Sequence, residues 1–487
     1  MKYTKLYRLL FVFTLGVFVL DSTQMGSAKV LLQTLNFKNF LPVISRTAGS
    51  TQRTVNLPNF GNDEIRFEEM AIFWFGRITP QENYTDVRMG YNNQEISVIL
   101  SIFDRLLWYD ETPSSADLTN WDAVSLYISA DTQDKAGLSQ YEYRFIGQLN
   151  DWQPNRSPWQ SVSQGSAAGW KSITAPFTTF TGIRWEVTGG GVNNNKNNRG
   201  WVMQFGIPFT SLGPKSPPKS GDSWRFAIIL HDRDDSAGTT ISQKKYPENM
   251  EPSDPSTWGV LHFGLSNYQK PTAPPAGTTQ IQNKLNGATV IDAAMGGTTG
   301  NLCNGDVNYI WTQWGNENYG SSADFNIQNQ SDIADWPCFA KYYVTFPINQ
   351  VPAGKIILSA TLTLHHWGNS GPLTGPGAGQ RSYIHVFTVS EDWQENQITW
   401  NNAPLAFENI GQRWVDMAPA STTWPGIPIT WDVTKAVAEA YFRNAPVRLA
   451  LYSSDSAYSS GKFFLSSNAE DWVAVGRPKL TISWGNP

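Results

Sequence analysis

Three carboxylates crowd the run His231-Asp232-Arg233-Asp234-Asp235, directly after an apolar, strand-like segment. Oxygens this dense suit Ca²⁺, a hard cation that takes six to eight oxygen ligands. The run lacks the glycine and terminal glutamate of an EF-hand loop, so a solvated acidic turn paired with Arg233 stands beside the metal reading of Asp232, Asp234 and Asp235. A second chemistry is offered by Asn150-Asp151-Trp152-Gln153-Pro154-Asn155-Arg156-Ser157-Pro158-Trp159-Gln160. Its Trp152 and Trp159 stand among polar and turn residues, where an indole can cover the apolar C–H face of a pyranose while neighbours bond the hydroxyls. Against this stands core burial, which stabilises a fold by up to about 5 kcal/mol per tryptophan at roughly 25 cal/mol per Å². Trp74, Trp108, Trp170 and Trp185 carry the same two readings.

Catalytic motifs do not emerge. With 5 His among 487 residues there is no HExxH helix, no GxSxG elbow and no P-loop. The 41 acids include no local motif that ties two carboxylates to a cleft for glycoside hydrolysis. Cys303 and Cys338 are the only cysteines, which excludes a disulfide-rich scaffold and a Cys-based zinc cluster. Export would permit one bond between them, worth about 3–4 kcal/mol for a loop of this length. Two buried thiols are the alternative.

Elements that could position these residues follow from composition and period. Charged residues are 16% and aromatics 13%, with 40 Gly and 29 Pro, a balance that suits short strands and many turns. A net charge of -5 and the lack of Lys/Arg runs argue against nucleic acid. The basic stretch Met1–Arg8, the apolar run Leu9–Leu20 and the small residues Gly26, Ser27 and Ala28 predict a signal peptide over 1–28, with an uncleaved anchor as the alternative. No second hydrophobic span follows, so no membrane span is expected in the mature chain. Residues 29–53 form an expected flexible leader.

From 54 to 264 the pattern is strand-like: Ile96–Phe103 is nearly continuous in apolar residues, Val124–Ile128 alternates, and Trp201, Met203, Phe205 and Ile207 share one face. A Pro-rich linker is expected over 265–279. Residues 280–487 repeat the alternation, with one helix expected over Asp432–Arg443 and Asp432 as its N-cap. The linker offers little to bury, so the two halves are expected to fold independently.

Two resemblances sharpen this. Asn120–Ile128, Gly200–Pro208 and Asp254–Val260 resemble the family-nine carbohydrate-binding (DOMON-like) modules. That family clamps a sugar end between two tryptophans and fixes it with an acid, an arginine and an amide. The resemblance puts Trp121 within two residues of the first stacking position and Arg144 at the arginine. Ser125 and Ile229 stand where the acid and amide would be, and Met250–Ser253 holds no second tryptophan. Ser359–Leu364, Asp392–Pro404, Trp431–Thr434, Phe464–Ser467 and Arg477–Leu480 resemble the DNRLRE-type carbohydrate-binding β-sandwich modules. Asp392, Trp393, Trp400, Asp432 and Arg477 match positions that hold strands and loops of that module together.

The expectation is an all-β protein of two tandem β-sandwich (jelly-roll-like) domains, secreted or held at the cell surface, that binds a polysaccharide or cell-surface glycan without catalysis. A structural extracellular protein is the alternative, and a polysaccharide-active enzyme comes third.

Overall fold

A computed structural model describes residues 52–130, 136–150, 157–183, 190–213, 217–237, 239, 241–266, 268–297, 307–329 and 339–487. The expected signal peptide, Trp152, Cys303 and Cys338 lie outside these residues.

The architecture is all-β, built as two sandwiches whose sheets lie in four layers. Sheet I runs in the order Thr54–Leu57, Gly259–Phe263, Ser223–His231, Ala123–Ser129, Glu142–Gln148, Gln160–Gln164 and Lys171–Ser172. Sheet II is antiparallel, in the order Ala71–Thr79, Glu82–Tyr91, Glu95–Phe103, Trp201–Pro208, Thr178–Ile183. Sheet III orders Ile291–Gly296, Phe339–Phe346, Val447–Ser453, Ser382–Thr388 and Glu408–Val415. Sheet IV orders Pro275–Gln282, Lys479–Gly485, Ile356–Asn369 and Ile427–Asp432, with Lys462–Leu465 beside the end of Ile356–Asn369. The stretch expected as linker up to Thr279 thus enters sheet IV from Pro275 onward.

Period-two alternation divides each strand between two environments. Trp201, Met203, Phe205 and Ile207 join Val98, Leu100, Leu126 and Phe226 in the core between sheets I and II. Tyr342, Val344, Leu449 and Leu451 meet Leu362, Leu364, Leu480 and Ile482 between sheets III and IV. The helix occupies Thr434–Phe442 with Val433, not Asp432, at its N-cap, and Asp432 accepts from the Thr434 N–H at 2.9 Å.

The expectation that the two halves have little to bury between them is corrected by a third core. Ile72, Trp74, Tyr84, Phe103 and Val202 of sheet II pack against Met295, Phe339, Tyr343, Phe387, Ala450 and Tyr452 of sheet III, with Trp311, Trp314 and Trp400 filling the margin. The packing is edge-to-face in places, with Trp74 5.1 Å from Phe387 and Phe103 4.8 Å from Phe339. Polar ties seal the rim: Asn56 and Asn409 exchange hydrogen bonds, and Asn401 bonds both backbone groups of Ile78. Among the described residues no helix is long and apolar enough to cross a membrane.

Candidate functional site

The resembled sugar clamp would lie on the outer face of sheet I. Arg144 stands opposite Tyr127 in the strand register. Trp121 lies six residues before Tyr127, a strand distance of roughly 20 Å at about 3.3 Å per residue. The structure therefore does not bring Trp121 and Arg144 together. Trp121 is half-buried under the Arg233 guanidinium, 4.3 Å from the ring centre. Arg144 lies 5.4 Å from Trp170, and Tyr127 is flanked by Trp170 at 5.7 Å and Trp258 at 5.4 Å. Ile229 and Met250 are buried in the same apolar group. The exposed-loop reading of Trp159 is also corrected: it is only 8% exposed, belongs to the core between sheets I and II, and donates its indole N–H to the Asp110 carbonyl at 2.7 Å.

This face also holds a Ser–His pair, with Ser125 Oγ 2.9 Å from His231 Nε2. The amide of Gln243 approaches His231 Nδ1 at 3.1 Å and donates to it. A donor on Nδ1 leaves the ring proton on Nε2, aimed at the serine. In this arrangement the imidazole accepts at Nδ1 and donates from Nε2 to the serine oxygen. Burial, with the positive charge of Arg144 behind it, pushes His231 down to about 4.

The acidic run does form part of a cluster, although not with the partners read from the sequence. Oxygens of Asp104, Asp232 and Asp234 lie within 4.8 Å of one another. Asp104 follows the strand Glu95–Phe103 and the other two follow Ser223–His231, so strand ends of both sheets of the first sandwich meet here. Asp235, expected beside Asp232 and Asp234, is not among these three and accepts from the Thr239 N–H at 3.1 Å. Only a three-dimensional fold could bring in Asp104, which carries no local signal.

Asp122 lies close by, fully buried, and accepts from the Trp108 and Arg233 N–H groups at 2.6 and 2.8 Å. Asp104 accepts from Leu106 N–H and the Trp201 indole, both at 3.2 Å. One oxygen of Asp232 is shielded from solvent and has no partner among the described residues. Burial raises all four carboxyls, Asp232 to about 8 and Asp234 to about 6. The neighbouring carboxylates add to the rise in each case. Asp104, Asp232 and Asp234 have the hardness and spacing to hold a divalent cation such as Ca²⁺.

Among the described residues, the most exposed aromatic group is in the second sandwich. Trp424 is 51% exposed and Trp472 68% exposed, with ring centres 6.1 Å apart and planes at 63°. Trp367 backs Trp424 at 5.2 Å and 25°, and Phe463 backs Trp367 at 5.5 Å and 28°. Inward Leu362 and Leu364 leave Trp367 on the outer face of its strand. Trp472 sits on the 3-10 segment Asp471–Gly476, which is anchored by Val473 against Leu465 and Ala469. The Trp472 indole donates to Glu470 at 2.6 Å, and Arg477 and Lys284 both pair with Asp471. Lone exposed apolar residues are ordinary, whereas a cluster marks an interaction surface. Thr422-Thr423-Trp424-Pro425-Gly426 and Ala469-Glu470-Asp471-Trp472 have polar and turn residues as flanks, like Trp152 and Trp159. That signal was present in both halves of the chain.

Residues 306–482 match the model of Carbohydrate-binding module family 96. The C-terminal sandwich is similar to that family. This bears out the carbohydrate-binding-module resemblance carried by Asp392–Pro404 and its companion segments. Among solved structures, the chain is similar to a carbohydrate binding module family 9 protein from Caldicellulosiruptor kristjanssonii in complex with cellotriose. The identity is 15%, with 44% of this chain and 95% of that chain covered and a TM-score of 0.31. A second structure of a family 9 module from the same organism, in complex with glucose, matches at 12% identity over 44% of this chain and 96% of that chain, with a TM-score of 0.29. No match was found among the curated proteins.

Proposed function

We propose that this chain is a non-catalytic carbohydrate-binding protein, exported to the extracellular space or the cell surface, that holds a polysaccharide or cell-surface glycan on the Trp424–Trp472 face of sheet IV. The observation that carries this reading is the exposed, internally stacked tryptophan group lying within residues 306–482, the segment that matches a carbohydrate-binding module family. A pyranose offers one apolar face and a rim of hydroxyls, and this surface offers indoles beside the carboxylates of Glu470 and Asp471. The non-catalytic reading is supported by the match of residues 306–482 to a carbohydrate-binding module family. The basic and apolar N-terminal stretches support export.

The test is retention of the purified chain on a panel of soluble and insoluble polysaccharides. Trp424→Ala with Trp472→Ala should reduce retention at least tenfold. Trp472 is mostly exposed and Trp424 half-exposed, so the stability loss should stay below about 3 kcal/mol and the fold should survive. Undiminished retention by the double variant would move the sugar to another surface. A wild-type chain retained by no polysaccharide would end the proposal.

A further inference from the structure

We infer that the ligand is a single soluble polysaccharide chain gripped along its length, running beside the strand Ile427–Asp432 from the tryptophan corner to a polar cleft at the far end. This rests on the carbohydrate reading of the Trp424–Trp472 face. The 63° between those ring planes means that the two indoles cannot lie together against one flat surface. They form a corner that suits one chain rather than the face of a crystalline polymer.

The strand leaving Trp424 continues the surface. Ile429 and Trp431 turn inward, and Pro428, Thr430 and Asp432 are exposed in alternation. Its six residues span roughly 17 Å at about 3.3 Å per step. At the far end lies a cleft of about 450 Å³, within the usual size range of ligand pockets. Thr430 and Asp432 belong both to the exposed row and to the cleft wall, so the two surfaces are continuous.

The far wall comes from sheet III and the segment before sheet IV. Arg413 reaches across the open edge of the sandwich, donating to the Thr430 carbonyl at 3.0 Å and the Trp414 carbonyl at 3.3 Å. It forms no ion pair among the described residues, and its remaining N–H groups are available to sugar oxygens. Lys270 pairs with Asp432, whose carboxylate is also held by Thr434. The Tyr268 hydroxyl is shielded from solvent and has no partner among the described residues. An aromatic ring, fixed donors and an oriented carboxylate in one cleft make a second subsite for a hydroxyl-rich chain.

A ligand long enough to reach both ends gains by effective concentration, because its second contact becomes intramolecular. The test uses the full chain with hydroxyethylcellulose, arabinoxylan, galactomannan and polygalacturonate, alongside microcrystalline cellulose. Size-fractionated oligosaccharides of the best soluble binder are then titrated calorimetrically. Affinity should rise at least tenfold from disaccharide to hexasaccharide. Arg413→Ala, or independently Lys270→Ala, should bring the hexasaccharide down to the disaccharide's affinity. The Trp424→Ala, Trp472→Ala pair should weaken every length. Affinity that does not change with length, or retention on microcrystalline cellulose alone, overturns the track and leaves carbohydrate binding standing. Retention on none of these polymers overturns both.

Discussion

Heating or denaturing the full chain should give one cooperative transition covering both sandwiches, and Asp86→Ala should remove about 3–5 kcal/mol from it. The reason lies between sheets II and III. Lys341 is only 2% exposed, with its ammonium 3.7 Å from the Trp400 ring centre, 4.2 Å from Trp74, 4.7 Å from Tyr84 and 4.9 Å from Tyr452. It donates to the Tyr84 hydroxyl at 2.6 Å, and Tyr84 donates to Asp86 at 2.6 Å. Tyr452 and Asn329 also donate to Asp86, at 2.7 and 3.2 Å. Burial drives Lys341 well below the usual lysine range, and Asp86 opposes the shift.

Removing the carboxylate strands three donors and deprives the buried ammonium of its counter-charge, and these groups come from both halves of the chain. Loss of this network should therefore be felt across the whole transition. Asp86→Asn combined with Lys341→Met, which removes both charges, should recover part of the loss. Two separated melts in the wild type, or an Asp86→Ala variant as stable as the wild type, would refute the shared core as the source of cooperativity.

That third core was written in the sequence, in a form open to two readings. Ile96–Phe103 is almost continuous in apolar residues because Ile96, Val98, Leu100 and Ile102 face the first core while Phe103 and partly buried Ile99 face the interface. A strand covered on both faces loses the simple alternation of a half-exposed one. Trp201–Ile207 shows the cleaner period, and its four expected inward residues are all buried. Such local rules identify strands and their inner faces, but they do not say which outer face meets which. The same limit governs the candidate sites. Trp159 and Trp424 both sit among turn residues, yet one is packed beneath Asp110 and the other is stacked in the open. Burial is decided by neighbours distant in sequence, and Asp104 joins Asp232 for the same reason.

The acidic cluster leads to the second large effect, in which Ca²⁺ should raise stability strongly at pH 8 and weakly at pH 5. In the metal-free chain, burial pushes Asp232 up to about 8 and Asp234 up to about 6, well above an unfolded aspartate, with Asp234 adding to the rise of Asp232 and Asp235 to that of Asp234. Asp104 and Asp122 are raised as well. Between the unfolded pKa and these values the folded state holds more protons than the unfolded state, so stability must fall as pH rises across that window. A divalent cation reverses the preference by favouring the ionised carboxylates, and it stabilises by mass action about 2.7 kcal/mol at a hundredfold excess over its Kd. At pH 5 protons compete with it, and the gain shrinks. Asp232→Asn removes one buried charge, so it should stabilise the metal-free protein at pH 8 and blunt the response to Ca²⁺. Thermal melts at both pH values, with EDTA or with millimolar CaCl₂, measure all of this together. If EDTA and CaCl₂ give the same midpoint at pH 8, the cluster is held by its own protons rather than by a metal, and Asp232→Asn should then stabilise the protein equally in both buffers.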